Sequence, residues 1–299
     1  MRLALRVNGV HSVTSLRFTL PERTPVSLVI NDLAGWSRAF SAAGHTSGER
    51  KREETFTLKG PIRMQPERIG LIGFGEAGAV FSKALALSGT QVEVYDILLE
   101  QDDEAAGMRE RILAAGCRSV SLDQVVENNE IILSTVLTHV ALEVATTCTS
   151  MLKPGQVYVD LNSTSPSVKV ELGTIIKPSG ADFVEGAILG AIGATGAKTR
   201  ILLAGEKGPE TAERLTGWGL NAFFYSEKIG DASTFKMLRS IFSKGLETLI
   251  LELLIAGKKA GIHKDLWEDI TDFMAQEPFL KIASNWGQTH AMAYKRRYH

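Results

Sequence analysis

The sequence predicts an α/β fold: a doubly wound parallel sheet, then an all-α C-terminal region, with a short β-like extension in front. Three observations predict it. From Arg68 short apolar runs alternate with helical stretches. A glycine-rich turn joins the first of these strands to the first helix. From Asp231 the strand signals stop and one long apolar helix begins.

The elements follow in order. Residues 1–60 open with alternating runs, Leu3 to Val7 and Ser15 to Leu20, punctuated by Asn8-Gly9 and Pro21-Glu22. They read as a small β element, and the mixed-charge stretch from Gly44 to Glu54 reads as a solvated linker. Residues 66–229 form the sheet domain. Its predicted strands are Ile69–Ile72, Val92–Tyr95, Ile131–Leu133, Val157–Leu161, Phe183–Val184 and Ile201–Leu203. Helices are predicted at Ala77–Leu87, Asp103–Ala115 and Val140–Met151. Residues 230–299 are the helical domain. Asp231 suits an N-cap, and Phe235, Leu238, Ile241, Phe242, Leu246, Leu249, Ile250 and Leu253 are apolar. From Leu249 to Ile255 apolarity runs nearly all round, which predicts burial on every side. The helix should be ~40 Å long, a spine for a second domain or a subunit interface.

Composition narrows the function. The chain has 299 residues, 44% of them hydrophobic, and a net charge of -1. That balance argues against a nucleic-acid or membrane-surface partner, both of which attract a basic excess. No apolar run reaches the ~18 residues a bilayer span needs. The N-terminus, broken early by charge, does not read as a signal peptide. Cys117 and Cys148 have neither CxxC nor metal-ligand spacing and read as reduced thiols in a cytoplasmic protein.

Gly73-Phe74-Gly75-Glu76-Ala77-Gly78 is a full GxGxxG between a strand and a helix. That context makes it a dinucleotide fingerprint of the Rossmann kind. Gly73 permits the tight turn, Gly75 lets backbone approach a pyrophosphate, and Gly78 lets helix and strand pack closely. The phosphates would sit on the free N–H groups of the helix start. Asp96 ends the second strand, about twenty residues on, where a carboxylate accepts from the ribose 2′-OH. It would repel a 2′-phosphate, and Ile97-Leu98-Leu99 supply no cation. NAD is therefore the expected cofactor, with NADP as the alternative. Thr135, Val136 and Leu137 follow the strand Ile131–Leu133 at the edge where ligands of open α/β sheets bind, so their backbone is expected to border the nicotinamide ribose.

With these, the tract Asp160-Leu161-Asn162-Ser163-Thr164-Ser165-Pro166 and the later Lys236 resemble the 3-hydroxyacid dehydrogenase and 6-phosphogluconate dehydrogenase superfamily. The resemblance runs from about Arg68 to the C-terminus and is nearest to a poorly characterised bacterial branch. It implies that Asn162 and Ser163 bind substrate carboxylate and nicotinamide carboxamide, with Ser165 capping a helix begun by Pro166. It implies a substrate turn at Val184 to Ala191, where Gly190 gives close backbone approach. Leu189 stands where the family has a serine, so a more apolar substrate or another anchor is implied. Lys236 matches the catalytic lysine, and Arg239 and Ser240 replace the polar pair that follows. The helical domain is short for the family, so the chain is expected to stop before its last helices.

Removing the alcohol proton needs a lysine that is neutral for part of the cycle, so its pKa must fall from about 10.4 toward 7–8. Arg239 and Lys244 are the expected source of part of that shift. The expected activity is hydride transfer between a nicotinamide cofactor and a small 3-hydroxy acid or related alcohol, in a homodimer joined through the C-terminal helices. Two alternatives stay open: a reductase of an imine or larger carbonyl compound, and a non-catalytic NAD-binding or assembly protein.

Overall fold

The computed structural model describes residues 67–286. The predicted β extension and linker of residues 1–60 lie outside the described residues. Two compact units divide the chain. Leu58–Glu252 hold the sheet, and the segment from Leu253 belongs to the other.

The sheet unit runs β1 (Arg68–Ile72), α1 (Glu76–Leu87), β2 (Gln91–Tyr95), α2 (Ala105–Ala114), β3 (Arg118–Ser119), α3 (Leu122–Asn128) and β4 (Ile131–Ser134). It continues with α4 (Ala141–Thr149), β5 (Val157–Asp160), α5 (Pro166–Ile176), β6 (Asp182–Leu189), α6 (Ile192–Thr195), β7 (Arg200–Ala204), α7 (Gly208–Gly217) and β8 (Asn221–Ser226). Then come the long α8 (Asp231–Ala260) and α9 (His263–Gln276).

The eight strands lie in the order β3-β2-β1-β4-β5-β6-β7-β8. The chain starts in the middle and winds outward both ways, as a doubly wound sheet does. Side chains alternate across it. Ile131 and Leu133 enter one core with Ile69, Leu71, Phe81 and Leu215. Ile132 points to the opposite core with Ile72, Tyr158, Val125 and Leu172. Helices α1, α2 and α7 therefore cover one face, and α3, α4 and α5 the other. Close packing is literal at Gly70, where an added Cβ would lie 2.9 Å from the Val125 carbonyl oxygen on α3.

Two sequence expectations need correction. The sheet is not wholly parallel: β6 and β7 pair antiparallel. The link from Leu189 to Arg200 holds only short helical turns, so the chain folds straight back instead of crossing over. The stretch Leu249 to Ile255 is not buried all round: Leu249, Leu251 and Ile255 are each more than half exposed. An apolar helix face reads alike in sequence whether its own chain or another molecule covers it. Strands β3 and β8 were not visible in the sequence. The first is two residues long, and the second, Asn221-Ala222-Phe223-Phe224-Tyr225-Ser226, lacks alternation and leaves its aromatic rings partly exposed.

Candidate active site

The glycine-rich turn lies at the C-terminal end of β1. Gly73 takes φ +92°, which favours glycine, and its N–H donates to the Tyr95 carbonyl at 2.8 Å. An added Cβ on Gly73 would lie 2.7 Å from the Thr135 carbonyl oxygen, and one on Gly78 only 2.1 Å from that of Gly73. These two glycines are demanded by the protein's own packing. Gly75 is different. A Cβ there would meet nothing within 4 Å, and no side chain caps the helix that starts beside it. The turn is thus a cradle bare of side chains, with open space over Gly75 and the amides of Glu76, Ala77 and Gly78 at the helix start. These residues fit the pyrophosphate of a dinucleotide. Glu76 is exposed and Ala77 half-buried.

Phe74 does not face that space. Its ring is buried in the core under the Arg111 guanidinium, 5.7 Å from the ring centre. Its backbone is held on both sides. The N–H donates to Asp96 Oδ2 at 2.6 Å, and the carbonyl accepts from Arg111 Nη2 at 3.4 Å. Asp96 Oδ1 accepts from Leu98 N at 3.0 Å. The carboxylate expected from sequence to bind the ribose therefore braces the turn. Opposite it, Thr135 Oγ1 donates to the Gly73 carbonyl at 2.7 Å. Val136 is half-buried and Leu137 is exposed.

A second polar group sits where β4 and β5 end, against the middle of β6. Asp160 and Lys169 form a buried ion pair, Nζ to Oδ2 2.5 Å. Lys169 also donates to the Asp160 carbonyl at 2.8 Å and to the Gly186 carbonyl at 3.2 Å. Asn162 is buried, and its Nδ2 donates to Asp160 Oδ1 at 2.5 Å and Ser134 Oγ at 3.1 Å. Because Asp160 can only accept, the amide nitrogen must face it. The Asn162 Oδ1 is left buried with no partner. Ser165 caps α5, accepting from Val168 N at 3.3 Å, with Pro166 following, as the sequence indicated.

Lys236 arrives from the second turn of α8, and its Nζ donates to Ser163 Oγ at 2.6 Å. Burial pushes the Lys236 ammonium below its ordinary value near 10.5, and the nearby Lys169 pushes it further. This corrects the expected source of the shift: Arg239 and Lys244 are exposed on α8, and the neighbouring cation comes from α5. The structure brings Asn162, Ser163 and Lys236 together. Ser240 is half-buried one turn past Lys236. Gly190 follows β6 with φ +136° and is exposed. Leu189, in place of the family's serine, packs with Phe235 against a small core of Ala187, Leu202, Ala204 and Ala232.

Glu185 holds α8 in place. It is fully buried. Its Oε1 accepts from Ser233 N at 2.5 Å, and Oε2 accepts from Gly230 N. These amides belong to the otherwise unsatisfied first turn of the helix. Sequence reasoning missed both Glu185 and Lys169, though each left a signal. Glu185 interrupts an apolar strand. Lys169 falls on the buried stripe of α5, in step with Leu172 and Ile176.

Residues 68–215 match the family described as the NAD binding domain of 6-phosphogluconate dehydrogenase. This part of the chain resembles the NAD-binding domains of that superfamily, and the fold is that of the 3-hydroxyacid dehydrogenases. The chain is 29% identical over 201 residues to an "uncharacterized 28.5 kDa protein in 7S RNA 5'region" of Methanothermus fervidus, covering 67% of this chain and 75% of that one. Among solved structures it is similar to the conserved protein MTH1747, described as structurally similar to 3-hydroxyacid dehydrogenases. The identity is 28%, with 77% of this chain and 84% of that one covered and a TM-score of 0.60. An imine reductase variant from Myxococcus stipitatus, solved with NAD+, shares the fold at 21% identity. It covers 76% of this chain and 78% of its own, with a TM-score of 0.62. Among the described residues no helix is long and apolar enough to cross a membrane.

Proposed function

We propose that this protein is a nicotinamide-dependent oxidoreductase that uses Lys236 as general acid and base on a small 3-hydroxy acid or related alcohol. The observation that carries the reading is the Lys236–Ser163 hydrogen bond, beside Asn162, at the sheet edge that also bears the glycine cradle. Ligands of open α/β sheets bind at this edge.

The nicotinamide, when bound, supplies the hydride acceptor or donor. The chain's own groups handle the proton. In the oxidative direction neutral Lys236 Nζ takes the proton of the substrate hydroxyl. In reduction the ammonium donates to the carbonyl oxygen as negative charge develops there. Ser163 Oγ holds the lysine at the mouth of the site. Ser163, Asn162 and Gly190 are the proposed substrate contacts, with Arg239 and Ser240 further along α8. Leu189 and Phe235 add an apolar wall, so an aliphatic or bulkier substrate suits the site better than a strongly anionic one.

NAD is the preferred cofactor on this reading, because Asp96 places a carboxylate at the second strand's end. NADP is the alternative. The exposed apolar side chains of α8, among them Leu238, Ile241 and Leu249, suit a homodimer joined through this helix. The buried free thiols Cys117 and Cys148 suit a reducing, cytoplasmic setting. The apolar wall also favours a second reading, reduction of an imine or larger carbonyl compound.

Turnover on a panel of hydroxy acids, alcohols, ketones and cyclic imines, with NAD(H) and NADP(H), tests both. Hydroxy-acid oxidation lost in Lys236→Met supports the first reading. Imine reduction that survives the substitution supports the second. Tight dinucleotide binding without turnover on any substrate would leave a non-catalytic binding protein.

A further inference from the structure

We propose that Lys169 is a positioning residue for Lys236: its buried ammonium, pinned by Asp160 and by two backbone carbonyls, is the fixed positive charge that keeps Lys236 ready to give up its proton. The proposal rests on the reading of Lys236 as the proton-carrying group and adds the residue that prepares it.

The geometry is that of a charge that cannot move. The Lys169 side chain is 1% exposed, and all three of its acceptors lie within 3.2 Å. A buried ion pair adds little stability over apolar residues of similar size, so its place beside the site calls for another reason. The two lysines hang from one short tract, Lys169 on Asp160 at the end of β5 and Lys236 on Ser163 just beyond it. Their helices also start together. An added Cβ on Gly230, just before α8, would lie 3.6 Å from Pro166 at the head of α5.

The other charges near the start of α8 are already engaged. Asp160 gives one oxygen to Lys169 and the other to Asn162. Glu185 is held by the amides of Gly230 and Ser233. Asp231 accepts from the Ser226 hydroxyl at 2.7 Å, and Arg239 is exposed. Lys169 is the buried cation of this group, and its charge opposes a proton on Lys236, in line with its part in lowering the Lys236 pKa.

The test is a pH titration of the full chain carrying 13C-labelled lysine, without substrate or cofactor. The Lys236 signal is assigned by its loss in Lys236→Met. The wild type should titrate below the ordinary value near 10.5. In Lys169→Met the value should rise, and each unit gained lowers the neutral fraction at neutral pH about tenfold. Because Lys169→Met leaves Asp160 unpaired and can fail to fold, the neutral pair Asp160→Asn with Lys169→Met is measured as well. Its Lys236 value should rise by less, because the Asp160 carboxylate, which favours the Lys236 proton, is removed as well. A merely structural role would not raise it. An unchanged Lys236 titration in the folded double variant would overturn the proposal. The dehydrogenase reading, by contrast, stands or falls on turnover, so the two failures are distinguishable.

Discussion

Lys236 and Ser163, seventy-three positions apart, meet through a hydrogen bond of 2.6 Å between ammonium and hydroxyl. One hangs from the second turn of a helix and the other follows a strand end. The contact exists because Glu185 fixes where that helix begins. Replacing Lys236 by Met should lower turnover by about 10²–10⁴-fold, the usual contribution of a positioned acid or base. Dinucleotide affinity should be unchanged. Steady-state kinetics beside binding measurements check both, and a variant as active as wild type would remove Lys236 from the mechanism.

The pH dependence follows from the direction of the Lys236 shift. Oxidation needs the neutral amine, so its rate should rise with pH through the depressed pKa and level off above it. Reduction should show the mirror image. For stability the sign is also fixed. Between the folded value and 10.5 the unfolded chain holds more protons, so stability rises with pH across that window. Below it the half-buried ammonium weighs against folding. Lys236→Met should therefore be more stable than wild type at neutral pH, which thermal melts at two pH values would show.

Glu185→Ala should destabilise the fold. It strands the amides of Gly230 and Ser233, at about 1–3 kcal/mol for each buried donor left unpaired. Chemical denaturation measures the loss. A change within error would mean that water replaces the carboxylate and that α8 is not held from β6.

The glycine turn gives a matched pair of substitutions. Gly78→Ala drives a Cβ against the Gly73 carbonyl oxygen, 2.1 Å away. It should lower both stability and dinucleotide affinity, the former by about 1–3 kcal/mol. Gly75→Ala points into open space. It should leave the melting temperature unchanged while weakening dinucleotide binding by about tenfold, or ~1.4 kcal/mol. Equal effects of both substitutions on stability would contradict the separate roles given to these glycines.

Asp96 braces the turn and on the proposed reading also selects the cofactor, and Asp96→Ala should reveal both. The turn loses its hold on the Phe74 amide, so affinity for NAD falls. The site also loses the charge that opposes a 2′-phosphate, so the ratio of NADP to NAD affinity rises. Parallel titrations with the two cofactors would show whether the ratio moves.

Much of this was legible in the sequence, because the relevant signals are local. The turn from Gly73 to Gly78 is written in consecutive residues, and so is the Ser165-Pro166 helix start. The strands β1, β4 and β5 stand out because burial on both faces leaves apolar runs, and β2 stands out despite the buried Glu93 within it. What stayed hidden depends on contacts between distant positions. Lys169 needs Asp160 and Gly186 around it before its burial makes sense. Glu185 needs the start of a helix that begins forty-five residues later. The return of β7 against β6 depends on the geometry of a loop with no strong turn signature. The apolar face of α8 was visible as apolar, but nothing local says whether its own chain covers it.

The most direct measurement is a fluorescence titration of the purified full chain with NADH and NADPH, beside the Gly75→Ala variant. The account predicts saturable binding of at least one reduced dinucleotide to the wild type and clearly weaker binding to a variant that folds as well. A folded wild-type protein that binds neither dinucleotide, or a Gly75→Ala variant that binds them as tightly, would contradict it.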